Sequence, residues 1–251
     1  MRGLKLTPLE GVPKVRDGDD LVAIALDAAK ASDVSLQNGD ILVFAQKIVS
    51  KAEGRLVRLD SVTPSAKAVE LAGITEKDPR IIELVLSESS EVLRAIPGVI
   101  VVVHRLGLVL ANAGIDRSNI GGEEHALLLP VDPDGSAGKI RKEFGRRAQR
   151  DVGVMVIDSI GRAWRNGTVG TLIGSSGVET LLDLRGKPDL FGRRLETTEV
   201  GWGDELAAAA SLVMGQASEG WPIVHATGGA VLRRDADSSA LLRPKNKDLF
   251  R

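Results

Sequence analysis

Residues 152–159 read VGVMVIDS, an almost unbroken apolar run that ends on Asp158. A run of this length without polar alternation is the pattern of a β-strand buried on both faces, and such a strand needs covering layers on either side. Working outward, residues 40–51 (DILVFAQKIVSK) read the same way. They predict a second buried strand over 41–49, delivering Lys47 and Lys51 at or beyond its end. In a strand, two residues four apart share a face but stand well separated.

Helical patterns alternate with these runs. Asp17 or Asp19 caps a predicted helix through about Ser32, on which Leu21, Ile24, Ala25 and Ala28 share one face. Thr63 with Pro64, and Asp78 with Pro79, are start signals for two more helices. Residues 98–105 (GVIVVVHR) and 106–112 (LGLVLAN) predict a hairpin turning at Leu106 and Gly107. A helix is expected over 136–150, and a strong one over 204–216 (DELAAAASLVMGQ), followed by a strand over 223–227 (IVHAT). Residues 159–177 (SIGRAWRNGTVGTLIGSSG) are glycine-dense and predict a loop able to approach a ligand closely. The tail from 233 is a short terminal helix or an interface arm. The expectation is a mixed α+β fold in one domain spanning 1–251, in two closely joined lobes.

Composition narrows the function. With 43% hydrophobic and 27% charged residues among 251, the chain is an ordinary folded protein rather than a disordered tail. Lys and Arg (33) nearly cancel Asp and Glu (34), so no overall field draws it to nucleic acid or an anionic membrane. Zero cysteines exclude a disulfide framework and thiolate metal sites. The N-terminal segment lacks a signal-peptide core, and no apolar stretch reaches the roughly 20 residues of a membrane span. A cytoplasmic protein is expected.

Candidate chemistry centres on Asp116 and Asp158, each a carboxylate following an apolar run. Asp116 lies in 111–119 (ANAGIDRSN), where an acid, a base and two amides crowd a glycine turn. Paired carboxylates of this kind hold hard cations, with phosphate and water completing the shell. The structural alternative is an Asx-turn at Asp116 and a loop cap at Asp158. Lys47 and Lys51 suit phosphate as point charges or serve as solvated lysines. Arg162 and Arg165 would clamp an anion, or stack on Trp164. His104, His125 and His225 are scattered and predict no zinc site. No P-loop, dinucleotide-binding glycine motif or serine-hydrolase elbow is present, so any nucleotide binds by another mode.

Taken together, LEGVP (9–13), GDILVFAQKIVSKAEGR (39–55), ANAGIDRSN, LLLPVDPDGSAGKIR (127–141), the stretches 153–178 and 189–222, and LLRPKNKDLFR (241–251) resemble the F420-0:γ-glutamyl ligases, in register from about Leu9 onward. The resemblance implies a GTP-dependent ligase. Such an enzyme adds L-glutamate, and a further γ-linked glutamate, to coenzyme F420-0 through an acyl phosphate, releasing GDP and phosphate. It implies a first divalent ion, Mg2+ or Mn2+, on Asp116 and Asp158, a second helped by Ser159 and Gln216, and possible use of K+. The family pattern has Asp-Thr where this chain has Asp158-Ser159, which keeps the hydroxyl; Gln216 is Glu in some relatives and offers only a neutral carbonyl. GTP contacts are implied for Val12, Pro13, Lys14, Val15, Gln46, Lys47, Lys51 and Asn119, and for Met214, Gly215, Gln216, Ala217, Ser218, Glu219, Gly220 and Trp221. Asp116, Asp158 and Lys51 carry the catalytic expectation. Gln46-Lys47 replaces an uncharged pair and brings an extra cation. The family also implies an intertwined homodimer. Some relatives append a nitroreductase-like domain, which is not expected in a chain ending at Arg251. Two alternatives remain beside this reading: a γ-glutamyl ligase for another carboxylated cofactor, and a non-catalytic GTP-binding regulatory protein.

Overall fold

The computed structural model describes residues 3–120, 122, 124–228 and 234–248. In chain order its elements are β1 (Lys5–Pro8), α1 (Leu21–Ala31), β2 (Ile41–Ala45), α2 (Gln46–Ala52), β3 (Leu56–Arg58), α3 (Ala66–Thr75), α4 (Pro79–Ser87), β4 (Ser89–Ile96), β5 (Val99–His104) and β6 (Val109–Ala111). There follow β7 (His125–Leu127), α5 (Pro133–Ala148), β8 (Gly153–Arg162), β9 (Arg165–Ser176), β10 (Leu182–Asp183), β11 (Glu199–Val200), α6 (Trp202–Met214) and β12 (Ile223–Thr227). The fold is mixed α and β with several sheets.

The largest sheet has five strands in the order β1-β12-β2-β8-β9. Of its neighbouring pairs only β2 and β8 are parallel, with Ala45 opposite Ile157. Alternate residues of these strands enter different cores. Leu42, Phe44, Val154 and Val156 pack with α1 and α5 on one face. Ile41, Val43, Met155 and Ile157 pack with Leu206, Ala207, Ala210 and Met214 of α6 on the other. The doubly buried strand expected at 152–158 is therefore present, and its helical covers explain the missing polar alternation. A third core joins α3 and α4 to the sheet β4-β5-β6 through residues such as Ile82, Val85, Ile100 and Val102.

Helix starts follow cap chemistry, with shifts of a residue or more. Asp20, rather than Asp17 or Asp19, caps α1 by accepting from Val22 and Ala23, while Asp19 accepts from Arg16. Ser65, rather than Thr63, caps α3. Asp78 caps α4 as expected, with Pro79 in its first turn. Asp132 caps α5, which starts three residues before 136 and ends at Ala148.

Two expectations are corrected outright. The strand predicted over 41–49 stops at Ala45, and Gln46–Ala52 is a helix. No side chain caps its start, so strand and helix share one apolar run without punctuation. The glycine-dense loop at 159–177 is instead an extended antiparallel hairpin of β8 and β9. Its glycines answer to packing: a Cβ at Gly170 would lie 2.4 Å from the Ala207 carbonyl oxygen, and one at Gly174 would lie 2.4 Å from the Pro133 carbonyl carbon. In the tail, the described residues form two short 3-10 turns, Ser238–Leu241 and Lys245–Lys247; residues 233 and 249–251 lie outside the described set.

Candidate active site

The carboxyl ends of β1, β2 and β8 emerge at one edge of the five-stranded sheet, where the antiparallel β9 and β12 begin. Ligands commonly settle outside the carboxyl ends of neighbouring parallel strands, because the chain diverges there and leaves a crevice. Here the crevice is a cleft of about 950 Å³. Every residue named above for GTP, metal or catalysis lines it: the 12–15 segment after β1, Gln46, Lys47 and Lys51 on α2, Asp116 and Asn119, Asp158 and Ser159 on β8, and 214–221 before β12. A separate depression beside α5, bounded by Arg141, Lys142 and Arg150, holds none of them.

Because α2 is a helix, Lys47 and Lys51 are neighbours one turn apart rather than distant strand residues. The Lys47 ammonium pairs with the Asp116 carboxylate and lies 3.1 Å from Ser118 Oγ. Lys51 Nζ donates to the Asn119 carbonyl oxygen at 2.8 Å. Burial, then repulsion from Lys47, holds Lys51 below the usual lysine range despite Asp116. Its charge is thus under-compensated, a state that a polyanion would relieve.

Asp116 does not end a strand. It follows a short 3-10 turn (Asn112–Gly114) in which Ala113 is left-handed, with φ 54°. Two 2.9 Å backbone hydrogen bonds with Leu127 then pin it to β7. Its Oδ1 also accepts from the Ser118 amide and hydroxyl, at 3.3 and 2.9 Å. The Asx-turn offered as the structural alternative is therefore real, and it coexists with an aimed carboxylate. Asn119 reaches the opposite wall, its Nδ2 donating to the Ala217 carbonyl at 3.1 Å.

Asp158 stands on β8, between β2 and the edge strand β9. Burial is the main cause that pushes its carboxyl up to about 6; the Ser159 amide and Lys47 pull the other way, while Asp116 adds repulsion. Ser159 Oγ donates to Gln216 Oε1 at 2.7 Å, and Gln216 Nε2 donates to Ser211 Oγ at 2.7 Å. Among the described residues no group of three or more His, Cys, Asp and Glu gathers as a metal cage. The four side chains named for metal, Asp116, Asp158, Ser159 and Gln216, nevertheless all offer oxygen, and the two carboxylates among them repel one another. That set fits a hard divalent cation whose remaining positions go to water or substrate. Gln46, at the base of the cleft, is 1% exposed, its Oε1 accepting from Ser50 and its amide next to Asp158.

Sequence reasoning missed Ser118, Thr168 and Ser211, which also line the cleft. Ser118 had a signal, standing two residues after an Asp in a turn. Nothing local marks the other two. Of the histidines, His225 bonds Asp40 at 2.8 Å in the core, and the fully buried His104 faces Glu88 at 3.5 Å.

The profile of the F420-0:gamma-glutamyl ligase family matches residues 11–228. A coenzyme F420:L-glutamate ligase of Methanothermobacter thermautotrophicus is 45% identical over 99% of both chains. The proteins of the same name from Methanopyrus kandleri and Archaeoglobus fulgidus are 43% and 40% identical, over 100% of both chains and over 99% and 96% respectively. An enzyme that forms carbon–nitrogen bonds, a ligase, is the class these matches define. Within that class the chain belongs to the F420-0:γ-glutamyl ligase family.

Proposed function

We propose that this chain joins L-glutamate to coenzyme F420-0 at the expense of GTP, and then adds a second glutamate through a γ-linkage. The observation that carries this reading is the convergence of three lysines, Lys14, Lys47 and Lys51, with the carboxylates of Asp116 and Asp158 in one cleft. A carboxylate is a poor acyl donor until one oxygen becomes a good leaving group. Its oxygen attacks the γ-phosphorus, GDP departs, and an acyl phosphate results. The glutamate amine then attacks the carbonyl carbon, losing a proton as phosphate leaves. Phosphoryl transfer of this kind is mainly positioning and charge neutralisation.

Lys51, with Lys47 and Lys14, takes the polyphosphate, and Asn119 and the 214–221 segment frame the nucleotide. Asp116 and Asp158 would hold one divalent ion, Mg2+ or Mn2+, and Ser159 and Gln216 would help hold a second; bound there, the ions would neutralise phosphate charge. K+ is a further expected aid. The 251 residues act as a single two-lobed ligase domain in the cytoplasm. They work as an intertwined homodimer, for which the support is an arm between β10 and β11 whose Leu190 and Phe191 are 99% and 95% exposed. Among the described residues no helix is long and apolar enough to cross a membrane.

Incubation with F420-0, L-glutamate, GTP and Mn2+ or Mg2+, followed by mass spectrometry, tests the proposal. The expected result is a gain of one and then two glutamates that requires both GTP and metal. Glutamylation of a different carboxylated cofactor, or GTP binding without any ligation, would replace this reading with one of its two alternatives. Light scattering is expected to show a dimer that Phe191→Asp weakens.

A further inference from the structure

Gln216 meets the cleft beside Ser159 as an amide, and an amide has two unlike ends. Its carbonyl oxygen accepts hydrogen bonds or ligates a cation, whereas its NH2 only donates and turns partial positive charge outward. A half-turn about the last side-chain bond exchanges the two with almost no change of shape. In the structure the oxygen faces Ser159, and the nitrogen donates at 2.7 Å to Ser211 Oγ. Gln216 and Ser159 are both exposed, so water alone would leave that rotation free. Ser211 is 6% exposed and sits behind them, on the last turn of α6.

The backbone brings these side chains together from two directions. Gly170 stands opposite Ser159 in the β8–β9 ladder, and a Cβ on Gly170 would lie 2.4 Å from Ser211 Cβ. The missing side chain lets α6 rest directly on the hairpin, which sets the Ser211 hydroxyl just behind Ser159. At the end of α6, Gly215 takes φ 75° and ψ 174°, a conformation that residues with a Cβ rarely adopt. The chain turns there, and Gln216 reaches back to the helix it has just left. On the cleft side Ser159 Oγ and Gln216 Oε1 are 2.7 Å apart. Adjacent corners of an octahedron with metal–oxygen bonds of about 2.1 Å are separated by about 2.9 Å, so the two oxygens stand close to the spacing of neighbouring ligands.

We propose that Ser211 is a positioning residue for the second divalent ion: by accepting from Gln216 Nε2 it turns the oxygen of that amide, and not its nitrogen, toward Ser159 and the cation. The inference rests on the two-ion reading given above and specifies what lets a neutral side chain serve in it. A carboxylate at 216 would present oxygen whichever way it turned and would need no such partner. That difference supplies the test. Mn2+ is titrated into the full chain carrying one equivalent of a GTP analogue that cannot be hydrolysed, and bound ion is read from loss of the electron paramagnetic resonance signal of free Mn2+. Wild type is expected to take two ions. Ser211→Ala is expected to weaken the second by about tenfold, the scale seen when a partner of a metal ligand is removed, with the first ion and the melting temperature unaltered. In a Gln216→Glu background the same Ser211→Ala change is expected to cost less than about twofold, because the coupling between the two positions is gone. Unaltered affinity for the second ion in Ser211→Ala would overturn the proposal. So would an equal loss in both backgrounds, which would show that Ser211 only shapes the turn. A single ion on the wild-type protein would instead remove the two-ion reading itself, before any variant is compared, and leave Ser211 nothing to position.

Discussion

Two carboxylates in this protein, Glu88 and Asp158, are both pushed upward by desolvation and end in opposite states. Burial raises Glu88, but hydrogen bonds and charge from His104, Arg55 and Arg105 more than reverse it, leaving the group at about 2. Arg55 approaches it at 2.9 Å and Arg105 at 3.0 Å, on either side of the carboxylate. At Asp158 burial prevails and carries the group up to about 6, with Asp116 adding repulsion. Its nearest cation, Lys47, is already engaged by Asp116. A carboxylate that the fold has fully answered ties elements together, here α4, β5 and the chain after α2. One left short of positive charge is available to something that brings it.

The contrast can be broken most forcefully at Asp158. Asp158→Asn is expected to lower kcat for ligation by about a thousandfold or more, equivalent to about 4 kcal/mol of transition-state stabilisation. Its melting temperature is expected to stay level or rise, because the change removes an under-compensated charge. Turnover near wild type, followed by GDP release, would remove Asp158 from the chemistry.

The mirror experiment is Glu88→Gln, expected to cost about 3 kcal/mol of stability at neutral pH while leaving activity per folded molecule intact. Since the folded-state value lies below the unfolded 4.5, the carboxylate's contribution is complete above about pH 4.5. It is lost as pH falls toward about 2. Denaturant titrations of both proteins across that window should therefore converge on acidification. A gap that persists unchanged to the acid end would show that charge is not what Glu88 supplies.

Lys51 carries the same logic with the opposite sign. Burial and Lys47 hold it below the ordinary lysine range, so Lys51→Met is expected to preserve or raise the melting temperature while raising the KM for GTP by about tenfold to thirtyfold. An unaltered GTP requirement would mean that the polyphosphate lies elsewhere in the cleft.

How far these sites could be foreseen depends on whether the signal was local. The doubly buried strand at Asp158, the cap at Asp78 and the hairpin around Gly107 were readable, since each is written in a few adjacent residues. The helix carrying Lys47 and Lys51 was not, because ILVFAQKIV is apolar across the strand-to-helix switch and Ala45 offers no cap. Glycines 170 and 174 suggested a loop, when they are where α6 and Pro133 press on β9. The residues named by resemblance do meet in one cleft. Their pairings were not readable, since Lys47 with Asp116 and Ser159 with Gln216 join residues 69 and 57 positions apart. Those contacts are products of strand order.

The smallest expected effect tests how closely the two clusters differ. Ser118 donates to Asp116 Oδ1 at 2.9 Å and accepts from Lys47 at 3.1 Å, so its hydroxyl links acid and base without being essential to either. Asp116 would still be held by Lys47 and by its backbone bonds to Leu127. Ser118→Ala is therefore expected to lower kcat/KM by only about threefold to tenfold, the scale of one partly exposed hydrogen bond, with no loss of stability. A thousandfold loss would mean that this hydroxyl touches substrate. No loss at all would mean that the backbone alone aims Asp116, and that the two cleft carboxylates differ more than expected: one set by a strand, the other by a turn whose side chains are dispensable.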